Sequence, residues 1–505
     1  MRTFFIILLF ILSPVWVISQ EVPTRNEVGA SRLPDTIAPI VAPFNMPQLV
    51  PPMFPDRTVS ITAKGAKQGK LSTSAIQKAI DELSRKGGGT VIVPAGKWFT
   101  GRIILKSNIN LRLDENAELH FSGEVKDYLP VVFTRNEGIE MYSLGALIYA
   151  NGAENIAITG KGKLIGPGNK CEIFREHRLE TSIEYFVPDT IPTEKRIYDG
   201  KDGRIIFLPM FFAPVHSSNI LVEGVTFENS IFWNIVPQYC ENIIIRGITV
   251  NSAGHARTDG IDIESSRNAL IEYCTLNCGD DCFTIKSGRG EDGLRANRPS
   301  ENIVVRYSWA QKGAGSVTCG SETAGMIRNV YVHDCVFDGT HNGILFKTRR
   351  PRGGGGENLY YERIRLNIPG PAIKWDMLGS KRWVGDLADR VPAQPFNELT
   401  PIYRDIIFRN IVVENCRQLI DLIGIPESPV TGVLINRMDA KCDKLVKLQD
   451  TDGFVITNST IRSSCDSVSI TDGRNIMFVN VKFSSSQNEV KYNYSGELAR
   501  PVLVE

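Results

Sequence analysis

The sequence predicts an all-β solenoid of stacked coils, closed at its N-terminal end by a short helix. Three observations lead there. Short β-branched or aromatic segments opening on Asn, Asp or Gly recur every 21 to 34 residues through most of the C-terminal half. A repeat of that length marks stacked supersecondary units. Tight two-residue hairpins, which an antiparallel sandwich with similar turn spacing would need, are few. The segment Thr73 to Lys86 instead shows a helical period, with Ala75, Ile76, Ala79, Ile80 and Leu83 on one face.

In chain order, residues 1–19 read as a cleaved signal peptide. Arg2 is followed by the apolar run Phe4 to Leu12, then Pro14, with Val17 and Ser19 as the small positions before a cut near Gln20. The run is too short for a stable membrane span. An exported protein, periplasmic or secreted, is expected, with no membrane attachment after cleavage. Residues 20–58 form an irregular, Pro-rich leader (Pro51-Pro52, Pro55) expected to pack over the first coil. Ser72 or Thr73 can cap the helix, and Gly87-Gly88-Gly89 stops it. The helix plugs the solenoid end, which would otherwise expose core and strand edges.

Strands follow at Thr90 to Pro94, Ile103 to Leu105 and Ile109 to Leu113. The repeat proper opens at Asn155, Asn219, Asn242, Asn268, Asn302, Asn329 and Asn358, with later copies at Asp405, Gly432, Gly453 and Asn475. Asn tolerates left-handed backbone at such turns and can ladder with the Asn of the next coil. The solenoid domain spans 59–490 and a tail 491–505. Two stretches break the period: 168–203, charged and aromatic, and 370–404, which holds Trp375, Trp383 and several prolines. Long insertions in a solenoid fall on one face, often the binding face.

Lys plus Arg total 57 and Asp plus Glu 56, a formal net charge of +1. That gives no support for a nucleic-acid partner, although a local basic strip could hold an acidic polymer. The ten cysteines include Cys274, Cys278 and Cys282 at intervals of four. Paired Cys-x-x-Cys or His partners are absent, so no metal is expected; buried thiols or one or two local bridges fit better. Gly353 to Gly356 lacks the strand-to-helix context of a phosphate loop. Asn458 and Asn493 head glycosylation sequons.

The chemistry centres on acids about one repeat apart. Asp259 lies in Thr258-Asp259-Gly260-Ile261-Asp262, and Asp280-Asp281 follows in Gly279-Asp280-Asp281-Cys282. On neighbouring coils they stand about 5 Å apart, and grouped carboxylates on a rigid sheet are what glycoside hydrolysis needs. By themselves these acids could equally be turn residues capping backbone amides.

Further motifs accompany them in order: residues 75–123, with AIQKAIDELSRKGGGTVIVPAG at their start; LIYANGAENIAITGKGKLIGPG at 147–168; GSETAGMIRNV at 320–330; and KTRRPRGGGGENL at 347–359. Together they resemble family 28 of the glycoside hydrolases, the polygalacturonase family, over about residues 58–485. The resemblance implies a single-stranded right-handed parallel β-helix of the pectin-lyase-like kind. It also implies an inverting hydrolase of galacturonate-containing pectic polysaccharide that needs no cofactor. In that reading Asp280 is the general acid, Asp259 and Asp281 hold and deprotonate the attacking water, and Lys347 binds a sugar carboxylate or hydroxyl.

Four family signatures are matched unevenly. Asn-Thr-Asp appears as Arg257-Thr258-Asp259, Asp-Asp is intact, Gly-His-Gly appears as Gly313-Ala314-Gly315, and Arg-Ile-Lys as Leu345-Phe346-Lys347. Leu345 cannot grip a carboxylate as the forked guanidinium of Arg does. Either the leaving sugar carries no carboxylate, as in rhamnogalacturonan, or Arg257 or Arg349 supplies a relocated guanidinium. His255 is the candidate substitute for the missing histidine. The two insertions could wall off one cleft end and favour exo action. A Ca²⁺-dependent polysaccharide lyase and a non-catalytic carbohydrate-binding solenoid are the rival readings.

Overall fold

The computed structural model describes residues 21–177, 182–485 and 489–505; the expected signal peptide lies outside the described residues. The chain winds as a single-stranded parallel β-helix. Among the described residues the one antiparallel pairing of strands joins Val132–Asn136 to Ile139–Ser143. No helix among them is long and apolar enough to cross a membrane.

Alternation puts one residue in two inside the tube, and parallel register stacks like on like. Ile156, Ile220, Ile243, Ala269, Ile303 and Val330 form one column, which continues through Leu359 to Ile476. A second ladder carries the site: β1 (Ile261–Glu264), β2 (Phe283–Lys286), β3 (Gly315–Cys319), β4 (Asn342–Lys347) and β5 (Pro371–Asp376). Here Ile263, Ile285, Cys319, Phe346 and Trp375 align inward.

The expected asparagine ladder is present. From Asn108 through Asn155, Asn219, Asn242, Asn268 and Asn302 to Asn329, each amide Nδ2 donates to the preceding Oδ1 at 2.9–3.2 Å. All seven have φ between 53° and 62°, the left-handed region that Asn enters more readily than most residues. The ten thiols are all free.

Helix α1 (Thr73–Arg85) buries Ala75, Ile76, Ala79, Ile80 and Leu83 over the first coils. Neither expected cap residue caps it. Ser72 Oγ turns back to the Lys70 carbonyl (3.0 Å), and Thr73 Oγ1 accepts the Gly101 N–H (2.6 Å). The glycine stop is used: Gly88 N–H reaches the Leu83 carbonyl (2.8 Å) at φ 114°.

Three boundaries differ from expectation. Trp375 belongs to β5 and is fully buried, stacked on Phe346 at 4.6 Å, so the second insertion starts only after Asp376. The coils also run past residue 490, because Lys491–Ser495 pairs with Ser467–Thr471 and Leu503–Val504 with Met477–Phe478. The leader does not sit on the first coil. It lies along the flank, with Ile40, Met46 and Leu49 packed on outward residues such as Leu221, Ile244 and Leu270. Arginines on alternate coils bind its carbonyls: Arg246 to Pro34 (2.7 Å), Arg306 to Ala38 (2.8 Å) and Arg365 to Pro23 (2.8 Å). A Pro-rich strand suits this role because its carbonyls have no ladder partner of their own.

Coils contact only their neighbours, so damage at the cap should stay local. Ile80→Ala should cost about 2–5 kcal/mol at that end. Hydrogen exchange should show faster opening across residues 58–113 with coils beyond residue 300 unchanged.

Candidate active site

The loops entering β1 and β2 set the acids. Asn234 holds the Asp259 carbonyl through its backbone N–H (2.9 Å) and Nδ2 (2.8 Å), and Gly260 N–H reaches the Asp281 carbonyl (2.9 Å). Asp259 and Asp281 are therefore on adjacent coils, about 4.8 Å apart at the backbone. Asp280 lies at the pocket surface; its carboxylate accepts the Arg257 and Asp281 N–H groups at 3.3 and 3.1 Å.

Asp259, Asp280, Arg257, Lys347 and Arg349 line one pocket of about 160 Å³. Asp281, fully buried, sits beneath and reaches it through Lys347 Nζ at 2.6 Å. His255 is elsewhere: its ring stands edge-on to Phe174 at 4.9 Å, and burial lowers its pKa. No histidine lines the pocket.

The altered signatures have local explanations. Gly313 and Gly315 keep their identity because a Cβ on Gly313 would meet the Asp280 carbonyl at 2.5 Å, and one on Gly315 the Asp281 Oδ1 at 2.8 Å. Ala314 between them gives its N–H to the Asp280 carbonyl (3.0 Å). Arg257 is left-handed at φ 70°, a conformation easier for the family's Asn; its guanidinium pairs with Glu137 at 3.3 Å and lies 6.0 Å from the Trp383 ring. Leu345 is buried and does not line the pocket.

Several site residues escaped the sequence reading. Lys286, 3% exposed, stands between Asp259 (3.3 Å), Asp262 (3.4 Å) and Glu322 (3.5 Å), with its ammonium 4.3 Å from the Trp233 ring centre. Arg289 binds Glu137, Glu184 and Glu322 at 3.2, 3.0 and 2.6 Å, and Arg352 binds Glu322 at 2.6 Å. Lys286 follows Gly279-Asp280-Asp281-Cys282 by one strand and Glu322 falls inside GSETAGMIRNV, which were the available signals. Glu137, at the tip of the antiparallel hairpin, had none.

These charges divide the acids. Burial raises Asp259 well above the usual carboxylate range and nearby Asp262 adds to the rise, against the pull of Lys286. Asp280 is raised by burial and then by Asp281, against Lys347. Burial would raise Glu322 too, but Lys286, Arg352 and Arg289 outweigh it and hold it well below. The site thus offers protonated and ionised carboxylates side by side, the division that acid–base chemistry requires.

A family model described as glycosyl hydrolases family 28 matches residues 93–373, more than half of the 505-residue chain. The chain belongs to glycoside hydrolase family 28. Within the family, a probable polygalacturonase of Vitis vinifera is 28% identical over 73% of this chain and 70% of its own length. An exo-poly-alpha-D-galacturonosidase of Dickeya chrysanthemi is 26% identical over 61% of this chain and 55% of its own. The solved exopolygalacturonase of Thermotoga maritima superposes with a TM-score of 0.67 at 29% identity, covering 89% of this chain and 94% of that one. The fold is thus the right-handed parallel β-helix that the resemblance implied.

Burial also lifts Asp262 from 3.8, and Glu264 from 4.5, to about 7. Both bind their protons more tightly folded than unfolded. Their contribution to stability is therefore full below about pH 4 and is lost as pH rises through about 7. Glu322 gives the opposite slope only at more acid pH. Histidines such as His255, whose pKa burial lowers, slope the other way in the same window, so the effect is read as a difference: from pH 4 to pH 7 wild type should lose melting temperature relative to Asp262→Asn.

Proposed function

We propose that this hydrolase cleaves α-linked galacturonate from an end of pectic polysaccharide, with inversion. Asp280 protonates the leaving oxygen, and Asp259 and Asp281 orient and deprotonate the attacking water. The names of the relatives support a galacturonan substrate. The single observation that carries the reading is the three acids on adjacent coils, facing Lys347 and an unpaired Arg349. A hydrolase mechanism on carboxylates and water needs no further group.

Arg349 supports one of the substrates weighed from sequence over the other. It lines the pocket, and its guanidinium makes no hydrogen bond or ion pair with the described residues. Every other guanidinium facing this pocket is committed to a glutamate. A free, planar, permanently charged fork beside Lys347 matches a sugar carboxylate. This favours galacturonate on both sides of the bond over neutral rhamnose. Exo action is supported by Ser182 and Trp383, which the two insertions bring to the pocket together with Glu137 from the hairpin. The hydrolase motifs and the family match speak against an eliminating enzyme, and the retained acid trio against a purely binding one. Export follows from the N-terminal reading.

Digestion of homogalacturonan and rhamnogalacturonan oligomers in EDTA tests this. Saturated monomer released from homogalacturonan ends is expected; unsaturated product, or preference for rhamnogalacturonan, would sink the reading. Asp280→Asn should lower kcat by about 10²–10⁴-fold. Asp280 must carry its proton while Asp259 must have lost its own, and burial raises both. Activity should therefore follow a bell-shaped pH profile, falling at acid pH as the base is protonated and at higher pH as the acid is lost, with both limbs above the usual carboxylate range. Arg349→Ala should raise KM for galacturonan by about tenfold or more, with Arg349→Lys recovering part of it.

A further inference from the structure

The pocket that holds the acids opens into a second cavity. Ser182, Arg289, Arg349 and Trp383 line both, and the second encloses about 520 Å³, well within the size of small-molecule sites. Its place in the fold is informative. Residues 289–292 follow the end of β2, 349–352 the end of β4 and 383–399 the end of β5. Asp259, Asp280 and Asp281 stand before the opposite, N-terminal ends of β1 and β2. The cavity is therefore displaced along the strands from the acids, sideways to the stacking axis and toward the strand ends where Lys286 and Lys347 stand.

Its chemistry differs from that of the acid pocket. Val384, Leu387 and Leu399 give it an apolar wall, and Tyr185 stands 79% exposed at its mouth. Apart from Arg349, which faces both cavities and is assigned above to the galacturonate over the acids, the cations of the lining are paired: Arg350 with Glu427 (2.5 Å), Arg352 with Glu322 (2.6 Å) and Arg289 with Glu184 (3.0 Å). Asp189 and Glu291, both exposed on the lining, make no ion pair with the described residues and repel a carboxylate. A neutral ring with apolar C–H faces meets all of these conditions.

We propose that this cavity is a side pocket for a single neutral sugar branching from the galacturonate bound over the acids. The inference rests on the galacturonan reading above and narrows its substrate to branched chains.

The test uses the full enzyme and two probes: the linear galacturonate trimer, and the same trimer bearing one neutral pyranosyl group on its non-reducing residue. Wild type should cleave the branched trimer with a kcat/KM at least equal to that for the linear one. Leu387→Trp, which fills the cavity from the exposed insertion, should lower kcat/KM for the branched trimer about tenfold or more. The linear value should stay within about twofold, which also certifies that the variant is folded. If the branch blocks cleavage, or if Leu387→Trp depresses both substrates equally, the side-pocket assignment is overturned while the galacturonan reading stands. Cleavage of neither probe by wild type would overturn both.

Discussion

Parallel stacking places the same position of every coil within about 4.8 Å of the next, so whatever one coil presents, its neighbours must answer. Two like charges at that distance repel by roughly 3–4 kcal/mol at an effective dielectric of 20. Over most of the helix the answer is an apolar column or an asparagine ladder, which are self-complementary. At the site it is interleaving. Glu264 registers against Lys286, Lys286 sits among Asp259, Asp262 and Glu322, and Lys347 reaches back to Asp281. The crowded acids that catalysis requires are tolerable only because ammonium groups occupy the coils between and beside them.

The same interleaving differentiates the acids. Glu322 touches three cations and stays ionised, whereas Asp280 has its lysine at longer range and an aspartate as its sequence neighbour. Distance to charge, together with depth, separates residues that composition would treat as equivalent.

The sequence carried much of this. Periodicity and turn asparagines marked the coils, since both are local; Asp259, Asp280, Asp281 and Lys347 stood in short motifs at the ends of recognisable strands. Lys286 was hidden because Thr284 and Lys286 of the alternating Phe-Thr-Ile-Lys strand read as polar residues facing solvent, while here the Lys286 ammonium is enclosed by Trp233, Asp259, Asp262 and Glu322. Glu137 and Trp383 reach the pocket from loops 120 and 126 residues from Arg257 in sequence, and no period links them to the coils. Trp375 was assigned to the insertion because the prolines around it read as a loop, yet Pro371 merely opens a strand. His255 stayed near its aspartate in sequence while its ring turned to Phe174, a rotation that spacing does not encode.

The flanking leader has a consequence for the order of assembly. Its carbonyls meet Arg246, Arg306 and Arg365, which lie 212, 268 and 342 residues further along the chain. Coils can form one upon the last as the polypeptide emerges, and Pro34 and Ala38 gain their partners with Arg246 and Arg306, but the start of the segment at Pro23 has nowhere to dock until the coil bearing Arg365 exists. Contacts of such long range are slow to close. The stretch synthesised before the helix it clamps is thus the one that must wait for it, and its docking marks the moment when the middle of the solenoid is complete.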